Sequence, residues 1–165
     1  MKPKGQTIHI QFLSCILGLS VFFCGITTIH AEPLTAMDCM TGNLREAMVT
    51  NQKVIRADPT NVAAHVGLAS CYIRQGQIGF AEQSAVKALS LDVKDVEALL
   101  IMAEVYRHKK QWKMARNHYE KAILQDSNES RAYLGLSSAL TSLGKPQEAD
   151  AAFEKSKALS STGVP

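Results

Sequence analysis

The chain has 165 residues, with 18 Lys and Arg against 15 Asp and Glu, for a formal charge of +3. Two of the cations, Lys2 and Lys4, belong to the extreme amino terminus, so the remainder holds 16 basic and 15 acidic residues, or +1. That near balance removes the main sequence argument for nucleic-acid binding, which needs a clearly basic surface to neutralise phosphates.

From Gly5 to Ala31 there is no Asp, Glu, Lys or Arg. The most apolar part, Phe12 to Ile26, has the length of a signal-peptide core and falls short of the roughly 20 residues that span a bilayer. Ile29-His30-Ala31 supplies a small residue at the cut, so residues 1–31 are expected to be a signal peptide and Glu32 the mature start. The alternative is an uncleaved amino-terminal anchor, with the two lysines on the cytoplasmic side. Cys15 follows Ser14 after a bulky Leu13, and Cys24 follows Phe23, so neither matches the small-residue approach of a bacterial lipoprotein signal.

Beyond the export segment a period of 34 takes over. Ala47, Ala81, Ala115 and Ala149 are in phase, as are Leu68, Met102 and Leu136, then Ala69, Ala103 and Ser137, then Tyr72, Tyr106 and Leu140. Gly76, Lys110 and Gly144 mark a turn, Ala88, Ala122 and Ser156 a later helix position, and Asp58, Asp92 and Asp126 the close of each unit. Small residues at a crossing let two helices approach, and large apolar neighbours fill the adjoining groove. A sustained period of this length announces an array.

These residues resemble the tetratricopeptide repeat family. The resemblance implies an all-α fold, a right-handed α-solenoid of helix-turn-helix hairpins, with about three full repeats and one degenerate amino-terminal repeat. The expected divisions are 32–61 for the degenerate unit, where Asp38 and Asn51 replace large apolar residues, then 62–95, 96–129 and 130–162, with 163–165 as a tail. Pro33 suits the first turn of the initial helix, Pro146 the start of the final one, and Asp58-Pro59 a break between units. Trp112 in the central unit reads as core packing rather than a ligand platform.

In such arrays the first helices of the hairpins line a concave wall that receives a partner. Phase places there Val66, Ser70, Ile73 and Arg74, then Glu97, Leu100, Glu104, Arg107 and His108, then Arg131, Leu134, Ser138 and Thr141. Mixed aliphatic and charged residues suit a peptide or helix held by a few anchors. The subgroup of the family that clamps carboxyl-terminal carboxylates uses lysine and asparagine at the places held here by Val66 and Ser70, so that clamp is not expected.

Only Cys39 and Cys71 remain outside the export segment, in the first helices of consecutive units but two residues out of phase. They are a candidate disulfide in an oxidising compartment, or else two buried thiols. No metal spacing, HExxH, CxxC, GxSxG or glycine-rich phosphate loop occurs, so neither enzyme activity nor a cofactor is expected. Glu104 and Arg107 read as an exposed pair three residues apart. The cluster Arg107, Lys109, Lys110, Lys113 and Arg116 reads as a solvated turn, with an anionic ligand as the alternative.

The expected function is a non-catalytic protein–protein interaction scaffold in the bacterial cell envelope, in the periplasm or anchored in the inner membrane facing it. Alternatives are a membrane-tethered structural subunit of a secretion, pilus or maturation complex, and a small-ligand or enzymatic role near His108. After Leu159 only SSTGVP remains, so self-association through an uncapped final helix is a further expectation. A membrane is expected as a partner only if the amino-terminal segment is uncleaved.

Overall fold

Aspartate ends three helices in the same way. Asp58, Asp92 and Asp126 take extended φ values of −136°, −138° and −135°, which stop the helix before them. Each carboxylate accepts the backbone N–H two residues on, from Thr60, Lys94 and Asn128, the local bond that makes aspartate a turn former. New helices then start under side-chain caps. Asn61 accepts from the Ala64 N–H at 2.9 Å, and Asp95 from the Ala98 N–H at 2.7 Å.

The computed structural model describes Cys39 and residues 43–162. The export segment, the cut before Glu32, Cys15, Cys24, Pro33, Asp38 and the tail 163–165 lie outside the described residues. Cys39 is helical, and after it come α1 (Leu44–Ala57), α2 (Val62–Arg74), α3 (Ile78–Leu91), α4 (Val96–His108), α5 (Trp112–Gln125), α6 (Ser130–Ser142) and α7 (Pro146–Thr162). No strand occurs among the described residues. None of their helices is long and apolar enough to cross a membrane.

The hairpin turns within α2–α3, α4–α5 and α6–α7 need one left-handed residue each. Gly76 and Gly144 supply it at φ +73° and +74°, and Lys110 takes the same role at φ 58°. No atom lies within 4 Å of where a Cβ on Gly76 would sit. Glycine is suited there by backbone angle rather than by space.

Every helix packs on its successor, and α2 touches α4 while α4 touches α6. The first helices of the hairpins thus form one continuous wall and the second helices an outer layer, the arrangement of an α-solenoid. Alanine makes the contact between layers close. Ala69, Ala81, Ala85, Ala88, Ala98, Ala103, Ala115, Ala122, Ala132 and Ala139 are fully buried. Around them Met102, Val105, Leu99 and Leu140 supply the apolar area, at about 1.5–3 kcal/mol for each larger side chain buried. Trp112 opens α5 half-buried, and α7 runs three residues past Leu159.

The two cysteines meet across the first unit. A disulfide joins Cys39 to Cys71 on α2, with Cα atoms 5.5 Å apart, inside the window such a bond requires.

Candidate functional site

The wall formed by α2 and α4 does not close on itself. It borders a cavity of about 990 Å³ whose lining includes Val66, Ser70, Ile73, Arg74, Glu97, Leu100, Glu104, Arg107, His108 and Arg131 from the expected set. Leu134, Ser138 and Thr141 lie exposed on α6 beyond it. The cavity also takes in Ala63, Asp95, Ile101 and Tyr119. Val66, Ser70, Leu100 and Ile101 are buried and form its floor, whereas Ala63, Arg74 and His108 stand exposed at its mouth.

Tyr119 comes from a second helix, α5, and reaches the cavity by packing through the wall. Its ring is 1% exposed. A Cβ on Gly135 of α6 would lie 2.3 Å from the ring's Cε1, so only glycine leaves room for it. The tyrosine hydroxyl donates to Glu104 Oε1 at 2.5 Å, while Arg107 holds the other carboxylate oxygen through Nε at 2.8 Å and Nη2 at 2.6 Å. Glu104 and Arg107 are therefore not a simple exposed pair. Their ends are about one-third exposed, and a buried phenol anchors them to the outer layer. Burial, and next the Glu104 charge, push the Tyr119 phenol well above its ordinary range. The hydrogen bonds that Arg107 donates to Glu104 hold the guanidinium in its charged form, above its ordinary range.

At the other edge Arg131 of α6 binds Glu97 of α4, a full repeat away, and also Glu129 at 2.7 Å. The guanidinium holds the Glu129 carboxyl below its usual range, and Glu129 and Glu97 together raise Arg131. An ion pair this exposed contributes about 0.2–1 kcal/mol, yet it fixes the register of neighbouring first helices. In the basic cluster, Lys109 pairs with Glu82 and Arg116 with Glu120. Three of its five cations, counting Arg107, are thereby matched within the chain, as a solvated turn would be.

Two histidines outside the cavity have structural surroundings. His65 Nε2 lies 3.1 Å from the Pro59 carbonyl oxygen. His118 stacks on Tyr106 at 5.2 Å with its Nδ1 buried and unpartnered, and burial followed by Lys121 lowers its pKa. No group of three or more metal-ligating side chains exists among the described residues.

The role of Tyr119 was not read from the sequence, although a signal was present. At an offset of 16 residues, side-chain sizes trade across the array: Asn51 with Gly67, Ala85 with Ile101, and Tyr119 with Gly135. The largest residue faces a glycine because it fills the space of two.

Three family models, each described as tetratricopeptide repeat, match residues 40–105, 97–128 and 130–162. No curated protein matches. Among solved structures the chain is similar to a crystal structure of MamA, at 26% identity and TM-score 0.64, over 74% of this chain and 72% of that one. It is also similar to PilF of Pseudomonas aeruginosa, at 26% identity and TM-score 0.68, over 75% of this chain but only 57% of that one. A MamA from Desulfovibrio magneticus RS-1, at 16% identity and TM-score 0.65 over 79% and 74%, shares the fold.

Proposed function

Because this chain belongs to the tetratricopeptide repeat family, we propose that it is a non-catalytic scaffold of the bacterial cell envelope that holds a protein segment in the groove along α2 and α4. The observation that carries this reading is the groove itself. It combines a nearly buried apolar floor with charged edges over a volume suited to a few side-chain anchors. The likeness to the MamA and PilF structures supports the repeat fold on which such a scaffold is built. We read the groove's occupant as a peptide or a helix, which a few side-chain anchors can hold.

Export rests on the uncharged segment from Gly5 to Ala31 and draws support from the Cys39–Cys71 disulfide, a bond that persists in oxidising compartments. We read the protein as periplasmic after cleavage before Glu32. Mass spectrometry of the protein from the cell gives a first residue of Glu32 on this reading, and Met1 on the reading of a tethered subunit.

Ala63 provides the test of the groove, since it is exposed at the mouth and lines the cavity. A photoreactive residue at position 63 should capture a specific envelope protein that one at Phe80, on α3 outside the cavity and 55% exposed, does not. Equal capture from both positions, or capture from Phe80 alone, contradicts the proposal.

A further inference from the structure

We infer that the groove selects a partner segment carrying an acidic side chain beside its apolar anchors, with that carboxylate seated between Arg74 and His108. This rests on the groove being the binding site. Unmatched polar side chains are what point to it. Every carboxylate lining the cavity is already engaged: Asp95 with the Ala98 N–H, Glu97 with Arg131, and Glu104 with Arg107 and Tyr119. Arg74 and His108 line the same cavity and have no hydrogen-bonding or charged partner among the described residues.

The two are placed to act together. They are one repeat apart, as the last residues of α2 and α4, and those helices pack side by side. Neighbouring helices at about 8–10 Å bring two such side chains within reach of a single carboxylate. A cation at a helix end also favours the helix through its dipole. Here, however, the last carbonyls are already taken: Cys71 and Ile73 by the Gln75 and Gly76 N–H groups, Val105 and Arg107 by those of Lys109 and Lys110. The side chains are left for a partner.

The next residue in phase, Ser142 at the end of α6, bonds to the Ser138 carbonyl and carries no charge, so the basic edge covers two helices only. The opposite edge carries Asp95, Glu97 and Glu129 against Arg131. A groove basic along the helix ends and acidic along the helix starts fixes which way a charged segment lies.

The test uses the full chain and a displayed library of random 12-residue peptides. Retained sequences should combine apolar residues with Asp or Glu at a fixed offset. Replacing that acid by its amide should weaken binding about three- to fivefold at low salt. Arg74→Glu should turn the preference at that offset toward Lys or Arg, and His108→Gln should reduce the acidic preference without reversing it. Retention that Ala63→Trp abolishes, but with no acidic preference, overturns the inference and leaves the groove reading standing. Retention that Ala63→Trp leaves unchanged, or no retention at all, overturns both.

Discussion

The first unit and the central junction solve the same packing problem with opposite materials. Between α5 and α6 the contact is an interlock: Tyr119 fills the space over Gly135 and ties its hydroxyl to Glu104. In the first unit the equivalent position holds Asn51, fully buried, with its amide donating to the Ala47 carbonyl and its Oδ1 unpartnered. A polar residue there supplies little apolar area and carries a desolvation cost. The covalent bond between Cys39 and Cys71 stands beside this polar contact, in the same cluster as Ala47. A repeat array is roughly a sum of units and nearest-neighbour contacts, so each end can be secured by its own means. Side-chain fit holds the centre, where the cavity lies, and a crosslink holds the first unit.

The largest expected effect comes from removing the crosslink. A bond closing a loop over a separation of 32 residues contributes about 3–4 kcal/mol in the chain-entropy description. Cys39→Ala with Cys71→Ala should therefore lower the thermal midpoint. Hydrogen exchange should rise in α1 and α2 while α5 and α6 keep their protection. An exchange increase spread evenly over the array would break the distinction between the two regions.

Gly135→Ala should come next. Alanine gains up to about 1 kcal/mol of helix propensity over glycine, but its Cβ collides with the Tyr119 ring, and overpacking of this kind costs about 1–3 kcal/mol. The net loss should appear in denaturant unfolding, with increased exchange confined to α4, α5 and α6. Adding Tyr119→Leu should recover part of the Gly135→Ala loss, because the smaller side chain vacates the contested space. Strict additivity of the two changes would mean they do not meet.

A smaller effect depends on pH. Burial and Lys121 hold the His118 pKa below its ordinary value near 6.5. As the pH falls through that value, the unfolded chain takes up the proton before the folded one, and the stability present above it is lost. Thermal midpoints should decline on acidification below about 6.5, and His118→Gln should flatten that part of the profile. The smallest change is a gain: Lys110→Gly relieves a left-handed conformation that lysine adopts at a steric cost and glycine without one, worth about 1 kcal/mol.

The array was legible in the sequence because its period is written in residues whose roles do not depend on distant partners. Asp58, Asp92 and Asp126 act on the backbone two residues away, and the phased alanines act on whatever helix comes near. Cavity residues followed from the same phase for α2 and α4, since first helices line the wall wherever they occur. Phase alone did not reveal that the cavity would stop short of Leu134, Ser138 and Thr141 on α6. The basic turn cluster dissolved into separate ion pairs because Glu82, which binds Lys109, sits on another hairpin. Tyr119 escaped notice for a related reason. Its reach into the groove depends on Gly135, and a glycine's meaning lies in what it makes room for.

The central claim is that the groove, rather than the outer layer, holds the partner. Its most direct test is titration of the protein captured from position 63 against the wild-type chain, Ala63→Trp and Phe80→Glu, each confirmed helical by circular dichroism. Filling the groove mouth should weaken binding by about tenfold or more, while the outer substitution should leave it unchanged. Binding that tolerates tryptophan at 63, or fails with glutamate at 80, would contradict the account.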